Sequence, residues 1–145
     1  MKTFLINVLT GLLIFFAPIQ GLVIAVGLII VLDTFTGIFK SVKLRGWKSV
    51  RSRKLSHIVS KLLLYELCLL LLYPADVFIL NEFFLHLVSI QFFATKLLCI
   101  VLIFIEGVSI KENIEEALHI NIWQLLRNAI KRTKELKDGI DDIKN

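Results

Sequence analysis

The stretch GLVIAVGLIIVLDTFTGIF, residues 21–39, decides the fold of this chain, because Asp33 is its only formal charge. A helix of that length rises roughly 29 Å, about the thickness of a bilayer's hydrocarbon core. The same composition continues on both sides. Asp33 is the only charge from Phe4 to Phe39, and the charges between Leu62 and Ile105 are few and isolated. Over 145 residues the hydrophobic fraction is 57% and the mean hydropathy +0.79. A water-soluble domain of this size has too little interior to hide so much apolar surface. The fold class is therefore an all-α integral membrane protein, with three to four transmembrane helices plus a C-terminal amphipathic cytoplasmic helix.

Four apolar segments can be drawn. Residues 21–39, 62–80 and 83–106 are long enough to cross a bilayer. Residues 4–16 are short, and fit a tilted, re-entrant or interfacial helix as well as a crossing one. Pro18 breaks the first segment from the second, and Pro74 predicts an early end to the regular part of the third. Asn81-Glu82 then marks the turn into the last span. Lys2 and the apolar run after it imitate a signal peptide, but no small-x-small cleavage site follows, so the N-terminus is read as retained. The domain reading is a transmembrane unit over 1–108 with a basic cytoplasmic loop at 40–61, an amphipathic helix over 109–138, and a frayed tail over 139–145.

Charge placement orients the spans. Lys40, Lys43, Arg45, Lys48, Arg51, Arg53, Lys54 and Lys61 follow one another with no acid among them. Such a loop belongs in the cytoplasm. Three firm spans put the tail on the same side, so the C-terminus is cytoplasmic. Between two spans, a basic run reads as topology and attraction to anionic lipid headgroups rather than nucleic-acid binding. Trp47 and Trp123 fit interfacial anchoring. Cys68 and Cys99 lie in apolar stretches and read as buried small hydrophobes. His57, His86 and His119 are scattered, which argues against a metal site, and no cofactor or phosphate-binding motif is present in the sequence.

Polar groups at membrane depth are costly and therefore informative. Lys96 lies roughly 15 Å along its helix from Glu106, near the midplane. A snorkelling Lys96 could reach Glu66 on the neighbouring helix. That pair would hold helices or subunits together, or line a water-filled passage. Asp33 and Glu106 fall at the same boundary, beside the basic run, with Lys40, Lys61 and Lys111 as candidate partners. In the tail, Ser109 and Glu112 have capping-box spacing, followed by Ile114, Leu118, Ile122, Leu125 and Ala129 at helical intervals.

Two pieces of the chain resemble the phage-lysis and toxin-secretion holins. One is Leu32-Asp33-Thr34-Phe35-Thr36-Gly37-Ile38-Phe39-Lys40, in which Asp33 and Gly37 match an aspartate-x-x-x-glycine pattern. The other is Ile105-Glu106-Gly107-Val108-Ser109-Ile110-Lys111-Glu112-Asn113-Ile114, matching at Glu106, Gly107, Ser109, Glu112 and Asn113. The likeness runs over about residues 22–125, and the second motif is the more specific. It departs after Ile120, where no proline follows. The resemblance implies homo-oligomers in the bacterial inner membrane that open lesions and release an endolysin, toxin or bacteriocin, without chemical turnover. Lipid, a cognate endolysin, a toxin or a regulatory protein are the implied partners. Two further classes compete: a small channel or transporter-like secretion component with a narrow pore, and a membrane scaffold that recruits a partner through its tail.

Overall fold

A computed structural model describes residues 1–47 and 52–144. Among these residues the chain is helical apart from short turns, with no strand. Helix α1 (Lys2–Phe16) passes through a single 3-10 turn, Ala17–Ile19, into α2 (Gln20–Arg45). Helix α3 (Ser52–Ala75) widens into a π turn at Asp76–Leu80 and continues as α4 (Asn81–Val88). Helix α5 (Phe93–Leu118) returns, and α6 (Ile122–Lys144) completes the chain. Three helical stretches are long and apolar enough to cross a membrane: Lys2–Arg45, Ser56–Val88 and Phe93–Leu118.

Several boundaries differ from those read in the sequence, each for a physical reason. Pro18 sits in the first turn of the 3-10 segment, where its missing N–H is tolerated, so α1 runs on into α2 without a reversal. The joined helices have 44 residues, about twice the rise a bilayer core needs, and α1 buries none of its residues in the bundle. As Pro74 led one to expect, the regular part of α3 stops early, at Ala75. The strain of the proline ring is followed at once by the wider turn from Asp76, a common way for a helix to absorb such an interruption.

The turn expected at Asn81-Glu82 lies instead between Val88 and Phe93, so residues 83–88 belong to the outgoing arm and not to the last span. Ser89 and Phe92 there adopt left-handed φ of 55° and 54°, a conformation that neither residue type advertises. The basic loop drawn at 40–61 is helical over most of its described length, since α2 reaches Arg45 and α3 starts at Ser52. No helix starts at Ser109. Helix α5 passes through Ser109 and Glu112 unbroken, which leaves the capping box no free N–H groups to satisfy. The break comes at His119, with φ 52°. Asn121 then caps α6 by accepting from the Gln124 N–H at 3.1 Å. The backbone stays helical to Lys144, past the Gly139 at which an irregular end was expected.

The interior is thin. Val26, Ile30, Leu69, Cys99 and Leu102 form the buried cluster, ringed by Leu22, Ile58, Leu62, Tyr65, Leu98 and Ile103. Helices α2 and α5 pack along the greatest length, and α3 lies against both more sparingly. The outward faces carry large apolar side chains on every span, among them Leu28, Phe35, Leu63, Leu71, Ile100 and Phe104. In water that exterior would be untenable; in hydrocarbon it is ordinary solvation.

Candidate functional site

Several polar groups of the three spans converge in the half of the bundle toward the end of α2 and the start of α3. Asp33 lies on the inner side of α2, Lys61 one turn into the apolar part of α3, and Glu106 on the buried stripe of α5 that also carries Thr95, Cys99 and Leu102. The Lys61 ammonium donates to Asp33 Oδ2 at 2.9 Å and to Glu106 Oε2 at 2.6 Å. One cation thus ties three helices. Asn113, two turns further along α5, donates from Nδ2 to Asp33 Oδ1 at 3.2 Å and to Thr36 Oγ1 at 3.4 Å. Ser109 lies beside Asp33, and Tyr65 beside Glu106.

Gly37 lies against this arrangement: a Cβ built there would stand 3.5 Å from Asn113 Nδ2, at ordinary contact distance. Glu106 is fully buried, and its Oε1 has no hydrogen-bond partner. Two carboxylates share one ammonium in an apolar surrounding, a geometry in which loss of the cation leaves two uncompensated acids. A groove of about 510 Å³ opens beside the cluster between α2 and α3, with Asp33, Lys61, His57 and Asn113 on its walls.

Of the three cations weighed for Asp33 and Glu106, Lys61 is the one in place. Lys40 bridges α2 to Glu116 of α5 at 2.8 Å, and Lys111 pairs with Glu115 one turn along its own helix at 2.9 Å. Among the sequence-derived positions, Asp33, Gly37, Glu106, Ser109 and Asn113 are therefore brought together. Glu112 is exposed and stands apart.

Glu66 and Lys96 do not meet. Lys96 makes no ion pair among the described residues, and Glu66 Oε2 is buried without a partner. The Glu66 carboxyl faces α2 instead, where Gly27 leaves the space: a Cβ there would lie 3.4 Å from Oε1. Depth explains the mismatch. Lys61 is level with Glu106, which puts Glu66 roughly 8 Å and Lys96 roughly 15 Å along the bundle from that point.

A second polar contact, unforeseen in the sequence, closes the other end. Asp76 begins the π turn and is completely buried; its Oδ2 accepts from the Thr95 N–H at 2.7 Å and the Thr95 hydroxyl at 2.8 Å. Thr95 is the third residue of α5, the position whose N–H an N-cap side chain ordinarily satisfies. The N-cap of α5 is Phe92, which has no side-chain acceptor, so the cap is supplied from the preceding arm. Asn81 Oδ1 likewise accepts from the Phe92 N–H at 3.3 Å. Around them Tyr73 touches the rings of Phe15, Phe16 and Phe92 at 5.2–5.7 Å. The signal for Asp76 was an acid two residues after Pro74, but which N–H it would serve depended on where the chain turned back.

Among the described residues no group of three His, Cys, Asp or Glu side chains could hold a metal ion. The half-buried lysine clasp, the thin interior and the wide apolar exterior define an all-helical integral membrane protein with several of its polar groups joining its spans. The chain belongs to the bacteriophage holin family, whose model matches residues 10–135. No curated protein and no solved structure matches it.

Proposed function

We propose that copies of this chain associate in the bacterial inner membrane and permeabilise it, releasing an endolysin, a toxin or a bacteriocin. In this reading the basic residues before Lys61 and the C-terminus face the cytoplasm. The observation that carries it is the disproportion between interior and exterior. A few buried side chains hold the three spans together, while each span offers a broad apolar face on which a neighbouring copy can replace lipid at little energetic cost. Helix α3 is the element best suited to exchange partners, because it packs least and is fixed to both neighbours by Lys61. No chemical turnover forms part of this function.

Induced expression with markers of graded size tests it. Abrupt release of an enzyme-sized marker is the expected outcome. Loss of ion gradients without release of that marker would indicate a narrow channel, and no leak of either kind would indicate a scaffold; both contradict the proposal.

A further inference from the structure

Helix α6 leaves the span bundle with its apolar face uncovered. Trp123, Leu125, Leu126, Ile130 and Leu136 are 48–69% exposed. At 100° per residue they and Ala129 fill one arc of roughly 160°, wider than the narrow seam of a coiled coil. On the rest of the surface, between Ile122 and Leu136, stand Arg127, Lys131, Arg132 and Lys134 against the single acid Glu135. Counted over that stretch, four bases and one acid leave a charge of +3.

The attachment point fixes where this face can go. Helix α5 has 26 residues and rises roughly 39 Å, close to the thickness of a bilayer with its headgroups. The three residues after Leu118 therefore lie at a membrane surface. The elbow is firmly built: Glu115 Oε1 accepts from the Ile122 N–H at 2.8 Å, while its other oxygen holds Lys111 at 2.9 Å. The Ile120 N–H reaches back to the Glu115 carbonyl at 3.2 Å. Such an elbow starts α6 at headgroup level, with Trp123 in its first turn.

We infer that α6 is a surface-lying anchor for anionic glycerophospholipid, with Trp123, Leu125, Leu126, Ile130 and Leu136 in the interface and Arg127, Lys131, Arg132 and Lys134 on the headgroups. Charge decides between the two occupants available. A second copy of α6 would bring two surfaces of the same positive sign together, whereas an anionic leaflet neutralises each. The inference rests on the spans alone and holds whether the assembled protein releases proteins, ions or nothing.

The test uses the full chain with Trp47→Phe, which leaves Trp123 as the only indole. The protein is reconstituted in phosphatidylcholine, or in phosphatidylcholine mixed with phosphatidylglycerol, with acyl chains brominated near the headgroup. Trp123 fluorescence is expected to be quenched strongly in the mixed lipid and weakly in phosphatidylcholine. High salt should reverse the difference in the unaltered α6. Replacing Arg127, Lys131, Arg132 and Lys134 together by Gln should weaken the bound fraction by at least about tenfold. Dilution of protein at constant lipid should leave the quenching unchanged. Absence of quenching in either lipid, quenching indifferent to lipid charge and salt, or shielding of Trp123 that disappears on dilution would each overturn the inference, the last in favour of a second copy.

Discussion

The two ends of the span bundle are closed in opposite ways. At the end nearest the basic residues, one ammonium on α3 joins carboxylates 28 and 45 positions away in the chain, on two other helices. At the far end a carboxylate caps a helix start through a backbone N–H and a hydroxyl, 19 positions away, inside a packing of aromatic rings. The first closure centres on one ammonium common to three helices, with Asn113 and the Lys40–Glu116 pair adding ties between α2 and α5 alone. The second spreads over backbone, hydroxyl and rings. A shared charge is strong while complete and fails as a unit; a distributed contact fails in parts. The two closures therefore differ in how much of the contact one substitution can remove.

The largest effect should come from Lys61→Met, which leaves Asp33 and Glu106 facing each other in an apolar setting. A loss of about 3–5 kcal/mol is expected, read as a lowered midpoint of thermal unfolding in lipid nanodiscs. A change below about 1 kcal/mol would mean that water reaches the cluster and screens it.

Asp76→Ala should cost less, about 1.5–3 kcal/mol, because it removes hydrogen bonds to a charged acceptor but strands no opposite charge. Asp76→Asn, which keeps one acceptor oxygen, should recover a good part of that loss in the same measurement. If the two substitutions are equally harmful, the negative charge at the start of α5 matters more than the cap geometry.

Glu66→Met should have the smallest effect, and its sign is the informative part. The carboxyl has a buried oxygen without a partner and lies against Gly27, so an apolar side chain of similar volume should be neutral or stabilising by about 1 kcal/mol. A loss greater than about 2 kcal/mol would show that Glu66 is paired in the assembled protein.

What the sequence revealed follows from the range of each interaction. Apolar length is a local property, so three spanning stretches could be read from composition. That Asp33 and Glu106 share one boundary could be anticipated from their places in their spans; that Gly37, Ser109 and Asn113 join them depended on how α2 and α5 pack. Lys61 was one of three cations that could serve them, and helix register, a tertiary property, selected it. The return turn at 89–92 carries no glycine or proline, and its left-handed residues are Ser89 and Phe92. The Ser109–Glu112 spacing had the chemistry of a helix start but fell where apolar packing against α2 already held α5 continuous. Glu66 and Lys96 could be paired on paper because spacing along each helix gives no relative depth between helices until Lys61 is set level with Glu106.

The most direct test of the clasp compares Lys61→Met with the triple substitution Asp33→Asn, Lys61→Met, Glu106→Gln in the same nanodiscs. If one ammonium balances both acids, the triple variant should regain most of the stability lost by the single one, about 2 kcal/mol or more, since no buried charge is left unpaired. A triple variant no more stable than Lys61→Met would contradict the account, because the harm would then come from lost packing of the lysine stem and not from stranded carboxylates.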